Sequence, residues 1–317
     1  MFKTVVCTLF EGDYHYGVAA LTNSLYKNDF RGDIYAGYKG VLPLWASKSI
    51  INYDLNWEGA STLKVTDDLY IHFLPLDTHY HLTNYKPNFM LEVWNGISKH
   101  AKGMFYFDPD IIVNCTWNYF EEWISFGVAL VHEISSNDMP PSHPLRKKWE
   151  KVIIKSNKNI INQLYSYING GFCGVHEKNK TFLYDWIDIT NSGMKYFGLT
   201  ATQFKHNLNR TNLFYAQDQD ALNITAMCSD APISEMGPEA MDFINGGFTM
   251  SHAIGSPKPW SKSYLLSCLK GNPPSLTDKL FWKHVETPLN IANNLTIKSK
   301  KYSIKIASFI SRFYRKN

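Results

Sequence analysis

Asp108-Pro109-Asp110 ends the apolar run Gly103 to Phe107, so two carboxylates leave a buried strand at its carboxyl end, the edge where open α/β sheets bind ligands. Acids one residue apart in such a place need a compensating cation. A hard divalent ion, Mn²⁺ or Mg²⁺, suits carboxylate oxygens together with the oxygens of a substrate diphosphate. Taken alone, a D-x-D also fits a strand-end turn with two solvated acids. A second cluster, Met250-Ser251-His252-Ala253-Ile254-Gly255-Ser256-Pro257-Lys258-Pro259-Trp260, decides against that. His252 can complete a metal sphere, Gly255 lets the backbone approach a phosphate, and Lys258 brings a point charge to a diphosphate. These pieces suit a nucleotide-sugar.

Other chemistries fit the sequence less well. His72, His79 and His81 are close together, but His79 and His81 are two apart with no cysteine and no H-x-x-x-H helix, so they read as surface or core histidines and not as a zinc site. No G-x-G-x-x-G, P-loop or G-x-S-x-G occurs, which removes dehydrogenase, kinase and serine-hydrolase readings. Five scattered cysteines without a C-x-x-C pair point to neither a disulfide framework nor a thiolate metal site, and they favour a reducing compartment. The balance of 32 Lys and Arg against 28 Asp and Glu is too even to make nucleic acid the main partner. Five N-x-S/T sequons, at Asn114, Asn179, Asn209, Asn223 and Asn294, are read as chance in an Asn-rich chain without an export signal.

The elements that must position these residues alternate between strand and helix. Thr4–Phe10 is β-branched and apolar, and Val18, Leu21 and Leu25 then recur at helical spacing up to Lys27. Strands are expected at 32–38, 69–76, 103–113, 125–133 and 165–175, with a helix from Asn84 to Lys99. Such alternation implies a mostly parallel central sheet with helices on both faces. The polar, Pro-rich stretch 134–160 reads as an inserted loop or lid. With 317 residues, 44 % hydrophobic and 19 % charged, the chain must bury a large core.

Four motifs in order resemble the retaining GT-A glycosyltransferases of family 8, the group that includes glycogenin and bacterial lipooligosaccharide galactosyltransferases. They are the D-x-D in FYFDPDIIV (105–113), the N-G-G in YINGGFCGV (167–175), the D-Q-D in AQDQDALN (216–223) and H-x-x-G-x-x-K-P-W at 252–260. The last is the most specific, and the match spans roughly residues 3 to 260. The resemblance implies a Rossmann-like GT-A fold, in which residues 1–113 bind the nucleotide and 114–270 face the acceptor; by composition a helical basic tail over 271–317 follows as a separate unit. It implies Asp108, Asp110 and His252 as metal ligands, with Asp108 also near the donor ribose. Thr8 and Tyr14 lie where the family holds uracil and ribose. Lys86 matches a basic residue near the donor sugar and Asp108, Asn169 with Gly170–Gly171 borders the transferred sugar, and Asp218 and Gln219 flank the anomeric carbon. Simpler roles exist for three of these: a strand-edge turn for Asn169, a helix cap for Asp218 and a solvated loop cation for Lys86. Trp260 reads as packing.

The expectation is a metal-dependent hexosyltransferase that moves sugar from a UDP-sugar to a hydroxyl of a glycan or glycolipid with retention, Lys258 countering charge on the leaving phosphate. A nucleotidyltransferase acting on sugar phosphates and a catalytically silent sugar-binding protein are the alternatives. From Lys298 to Lys316 the chain has seven cations and no acid, interleaved with Tyr302, Ile306, Phe309, Ile310 and Phe313 as one stripe of a helix. That tail is expected either to touch an anionic membrane surface or to dock on the catalytic domain. Without a signal or membrane span, the chain reads as cytoplasmic, and the first of these two readings of the tail would make it peripheral on the inner membrane face.

Overall fold

The structure, a computed structural model, describes residues 3–134, 138–203, 209–244 and 246–313. In chain order its elements are β1 (Thr4–Glu11), α1 (His15–Lys27), β2 (Gly32–Lys39), β3 (Ile50–Ile51), β4 (Ser61–Lys64), β5 (Leu69–Pro75), α2 (Lys86–Asn95), β6 (Gly103–Phe107), β7 (Ile111–Val113), α3 (Trp117–Phe126), β8 (Val128–Val131), α4 (Pro144–Lys155), β9 (Phe172–His176), α5 (Thr181–Tyr196), α6 (Gln217–Cys228), β10 (Ile233–Met236), β11 (Met250–His252), α7 (Tyr264–Leu269), α8 (Leu276–Lys283) and α9 (Asn294–Ile310).

One sheet runs β10-β8-β9-β6-β1-β2-β5-β4-β3, and in it only β4 and β9 oppose the other strands. The period-two alternation of side chains divides the core between its faces. Along β1, Val5, Cys7 and Leu9 join the apolar cluster that takes in α2, α4, α5 and α6. Val6 and Phe10 point the other way, into the cluster holding α1, α3 and the C-terminal helices. Both faces are therefore covered, as near-continuous apolar strands require.

Four expectations change, the first being that the strand of 165–175 is confined to Phe172–His176, with one isolated bridge between His132 and Ile168 before it. The run 103–113 is two strands in two sheets, because Asp108-Pro109-Asp110 turns the chain, with the amide of Ile111 donating to Asp108 O at 3.1 Å. The helix expected over 84–99 is confined to Lys86–Asn95; Pro87 sits in its first turn, where a missing N–H costs nothing. The stretch 134–160 is more than a loop: its prolines lead into α4, with Pro144 in the first turn, and Arg146, Trp149, Val152 and Ile153 are buried on one face.

The C-terminal helix α9 docks through Ile297, Ile304 and Ala307, and Cys268 of α7 donates to Ala307 O at 3.1 Å. The aromatic stripe is not what docks: Tyr302, Ile306, Phe309 and Phe313 are exposed, and of the stripe only Ile310 is part-buried against the core. Arg315 and Lys316 fall outside the described residues. No described helix is long and apolar enough to cross a membrane.

Candidate active site

The strand pairing explains how residues 142 positions apart meet. Strand β11 runs antiparallel to β7 with His252 opposite Ile111, which sets the imidazole beside the Asp108–Asp110 turn. The amide of Ala253 donates to Asp110 O at 3.0 Å and secures the register past the strand end. His252 Nε2 lies 3.3 Å from Asp110 Oδ1 and 3.9 Å from Asp108 Oδ2. Ligand atoms of all three side chains fall within 4.8 Å of one another, and among the described residues this is the one such group of His, Cys, Asp and Glu.

Two observations fit this group to a divalent cation. Its donors are two carboxylates and an imidazole, a hard set with one borderline ligand that suits Mn²⁺ and Mg²⁺. The ring also occupies space that a larger residue would deny it, since a Cβ on Gly171 would stand 2.5 Å from His252 Cε1.

Each acid of the D-x-D also has a lysine. Lys86, almost fully buried at the start of α2, places Nζ 3.1 Å from Asp108 Oδ1, 3.3 Å from Asp218 Oδ2 and 2.7 Å from Gly170 O. Burial pulls its ammonium pKa down, but Asp108 and Asp218 outweigh burial and hold it above the ordinary value. Tyr106 Oη donates to Asp108 Oδ1 at 3.0 Å. Lys258 Nζ donates to Asp110 Oδ2 at 2.5 Å and to Ala253 O at 2.7 Å. Burial pushes the Asp110 carboxyl up, yet His252 and Lys258 together hold it well below the usual carboxylate range.

These groups line one cleft of about 540 Å³ at the carboxyl ends of β1 and β6, the place the parallel-sheet rule indicates. Tyr14 meets Trp260 edge-on at 5.4 Å, and Lys258 Nζ stands 5.6 Å from the Tyr14 ring. Gly255 takes φ of +80° in the loop between His252 and Lys258, a conformation other residues adopt at a cost. Asn169 spans two neighbours: its Nδ2 donates to Glu133 Oε2 at 2.6 Å, and its Oδ1 accepts from the Gly171 amide at 2.8 Å. Gly170 N donates to Gln219 Oε1 at 2.8 Å. Asp218 and Gln219 occupy the first turn of α6, whose N-cap is Ala216. The Ala216 amide is satisfied by Asp220 Oδ2 at 2.8 Å, so Asp220, not Asp218, serves the helix end.

Thr8 is the named residue that stays out of the cleft. It is fully buried inside β1, and Leu9, Phe10 and Glu11 supply the wall, because the cleft opens only where the strand ends. Glu133 and Asp220 had no role assigned from sequence. Glu133 follows β8 as Asp108 follows β6, and that acid-after-strand pattern is the signal that could have found it.

No family model and no curated protein matches the sequence. Solved structures do. The galactosyltransferase LgtC in complex with donor and acceptor sugar analogs matches at a TM-score of 0.52 and 13 % identity, covering 93 % of this chain and 99 % of that one. An active-site mutant of LgtC matches at 0.54 and 12 %, with the same coverage. The chain has the GT-A glycosyltransferase fold. The bifunctional glycosyltransferase WbbM matches at 0.50 and 13 % over 95 % of this chain, which spans about half of WbbM, 52 % of its length. The GT-A fold that the four motifs imply is thus the fold of the chain.

Proposed function

We propose that this GT-A protein is a metal-dependent hexosyltransferase that carries a sugar from a UDP-sugar to a hydroxyl of a glycan or glycolipid, with retention at the anomeric carbon. The observation that carries the reading is the convergence of Asp108, Asp110 and His252 with Lys258 and the Lys86–Asp218 pair in a single cleft. Asp108, Asp110 and His252 would hold Mn²⁺ or Mg²⁺. When bound, such an ion supplies Lewis acidity and counter-charge toward the donor diphosphate.

The protein's own groups then divide the work. Lys258, on a loop with a glycine hinge, can leave Asp110 for the leaving phosphate and meet the charge that grows as the sugar–phosphate bond breaks. Lys86 keeps Asp108 and Asp218 at fixed positions. Asn169 and Gly170 border the transferred sugar, and Tyr14 packs at the nucleoside end. Gln219 is an amide and serves neither as base nor as nucleophile. Asp218 shares its charge with Lys86, which weakens it as a nucleophile and favours attack from the same face as the departing phosphate, whose oxygen takes the acceptor proton.

The test is a donor panel of UDP-, GDP- and CMP-sugars with Mn²⁺, Mg²⁺ or EDTA, followed by the anomeric proton coupling of the product. Transfer from a UDP-hexose that needs a divalent ion and keeps the donor's configuration is expected. An inverted product would remove retention and the roles of Asp218 and Gln219 together. Transfer of a nucleotidyl group would remove the whole reading.

A further inference from the structure

The C-terminal module is charged unlike the rest of the chain. Residues 1–252 carry 20 Lys and Arg against 26 Asp and Glu, whereas residues 253–317 carry 12 against 2. Both acids of the module already have partners within it: Asp278 is buried against Lys262 at 2.8 Å, and Glu286 pairs with Lys301. What the module shows to solvent is therefore strongly positive.

Helix α9 in this module is apolar on two opposite sides. One side, Ile297, Ile304 and Ala307, is used up in docking on the core. At 100° per residue, Leu295, Tyr302, Ile306 and Phe309 fall on the other side, Phe313 follows in the 3-10 turn Ser311–Phe313 that continues the helix, and each is exposed, between 49 % and 81 %. Lys298, Lys305 and Arg312 fall along one flank of that ridge. Leu265, Leu266 and Leu269 of α7, which packs against α9, are exposed as well. An aromatic and aliphatic ridge edged by cations has no use in water, and it matches the headgroup–acyl boundary of a bilayer, where rings are buried and Lys and Arg meet anionic phosphates. A second copy of the chain suits it poorly, because cations would face cations.

We propose that the exposed side of α9 is a docking surface for a bilayer carrying anionic lipid. The docked side makes this compatible with a stable fold, since membrane contact needs no unfolding of the helix. The module also reaches the active site. Tyr264 Oη and Trp282 Nε1 donate to Pro259 O at 2.8 and 3.2 Å, so the loop bearing Lys258 is braced by α7 and α8, the helices packed against α9. A lipid-anchored acceptor would then meet the cleft at a bilayer surface.

The experiment is co-sedimentation of the full-length protein with phosphatidylcholine vesicles, with and without phosphatidylglycerol. Binding is expected only with phosphatidylglycerol and is expected to weaken with added salt. Ile306→Ser and Phe309→Ser should each lower the partition constant by about tenfold or more. Lys298→Gln, Lys305→Gln and Arg312→Gln should each lower it by about fivefold. All five positions are on the exposed side or its flank, so an unchanged thermal melt is the folding check. Equal binding to neutral vesicles, undiminished binding by the apolar variants, or a concentration-dependent dimer that Phe309→Ser dissolves would overturn the proposal, the last by assigning the ridge to a second copy.

Discussion

Two lysines each hold one acid of the D-x-D, and their surroundings differ. Lys86 sits at the start of a helix, its side chain 2 % exposed, between two carboxylates and a carbonyl. Lys258 sits on a loop, 17 % exposed, with one carboxylate and a carbonyl. Lys86 is fixed by its helix and is the cation its two acids share, so removing it leaves both without a counter-charge, whereas Lys258 lies on a loop with a positive-φ glycine and, when it leaves, Asp110 still has His252 at 3.3 Å. The same chemical contact is thus built once as a fixed support and once as a contact that can be traded for a phosphate.

The largest effect should come from the acid that both His252 and Lys258 address. Asp110→Ala is expected to abolish Mn²⁺-dependent UDP binding and turnover while the far-UV spectrum stays native; calorimetric titration of UDP with Mn²⁺ and with EDTA reads it. Retained turnover would move the ion elsewhere.

Lys86→Met comes next and acts on the fold as much as on the chemistry. It leaves Asp108 and Asp218 facing each other without their shared cation, so unfolding free energy should drop by about 3 kcal/mol or more, seen in urea melts, and activity should fall with it. A variant as stable as the wild type would make Lys86 a passive neighbour.

Lys258→Ala should behave in the opposite way, and this contrast sharpens the comparison most. With donor and Mn²⁺ present, kcat should fall about 10²-fold, the size of one lost electrostatic stabiliser, with little change in KM. Its thermal midpoint should trail the wild type in EDTA, where Asp110 has lost a partner, and recover with Mn²⁺. A rise in KM alone would mean that Lys258 only holds the donor.

The two lysines were not equally legible. Lys258 is readable because histidine, glycine and lysine stand in one short motif on a loop. Lys86 was placed beside Asp108 by the resemblance alone; its own neighbourhood, TNYKPNF, reads equally as a solvated loop cation, since nothing in it reveals that the first residue of α2 is buried. The D-x-D was visible because a parallel strand reads as an unbroken apolar run that ends where the ligand binds. That His252 joins it follows from the β11–β7 pairing, a long-range contact that spacing does not encode. Prolines around 140–144 hid α4, although Arg146, Trp149 and Ile153 already carried its buried face. In α9 the larger aromatic stripe drew the reading, while the smaller Ile297, Ile304 and Ala307 do the docking.

Asp218 and Asp220 repeat the lesson of the lysines on one turn of α6, and they give the smallest predicted effect. Asp218 has a cation. Asp220, equally acidic and 1 % exposed, has no cation but three neutral donors: the Tyr167 hydroxyl at 2.6 Å, the Ala216 amide at 2.8 Å and the Tyr215 amide. Burial raises its pKa to about 7, against the pull of those three donors. An unfolded chain releases this proton near pH 4. Between about pH 4 and 7 the folded state therefore holds a proton that the unfolded state has given up, so this group's contribution to stability falls as pH rises and levels off above 7. Asp242, raised by burial to about 6, slopes the same way, and Asp110 slopes the other way, so the wild-type profile mixes them. Asp220→Asn isolates one member. Its amide still accepts from Ala216 and cannot ionise, so the stability difference between variant and wild type should shift in the variant's favour from pH 5 to pH 8, read from urea midpoints at both. A pH-independent difference would mean that Asp220 is ionised throughout, and that burial without a cation does not decide its charge.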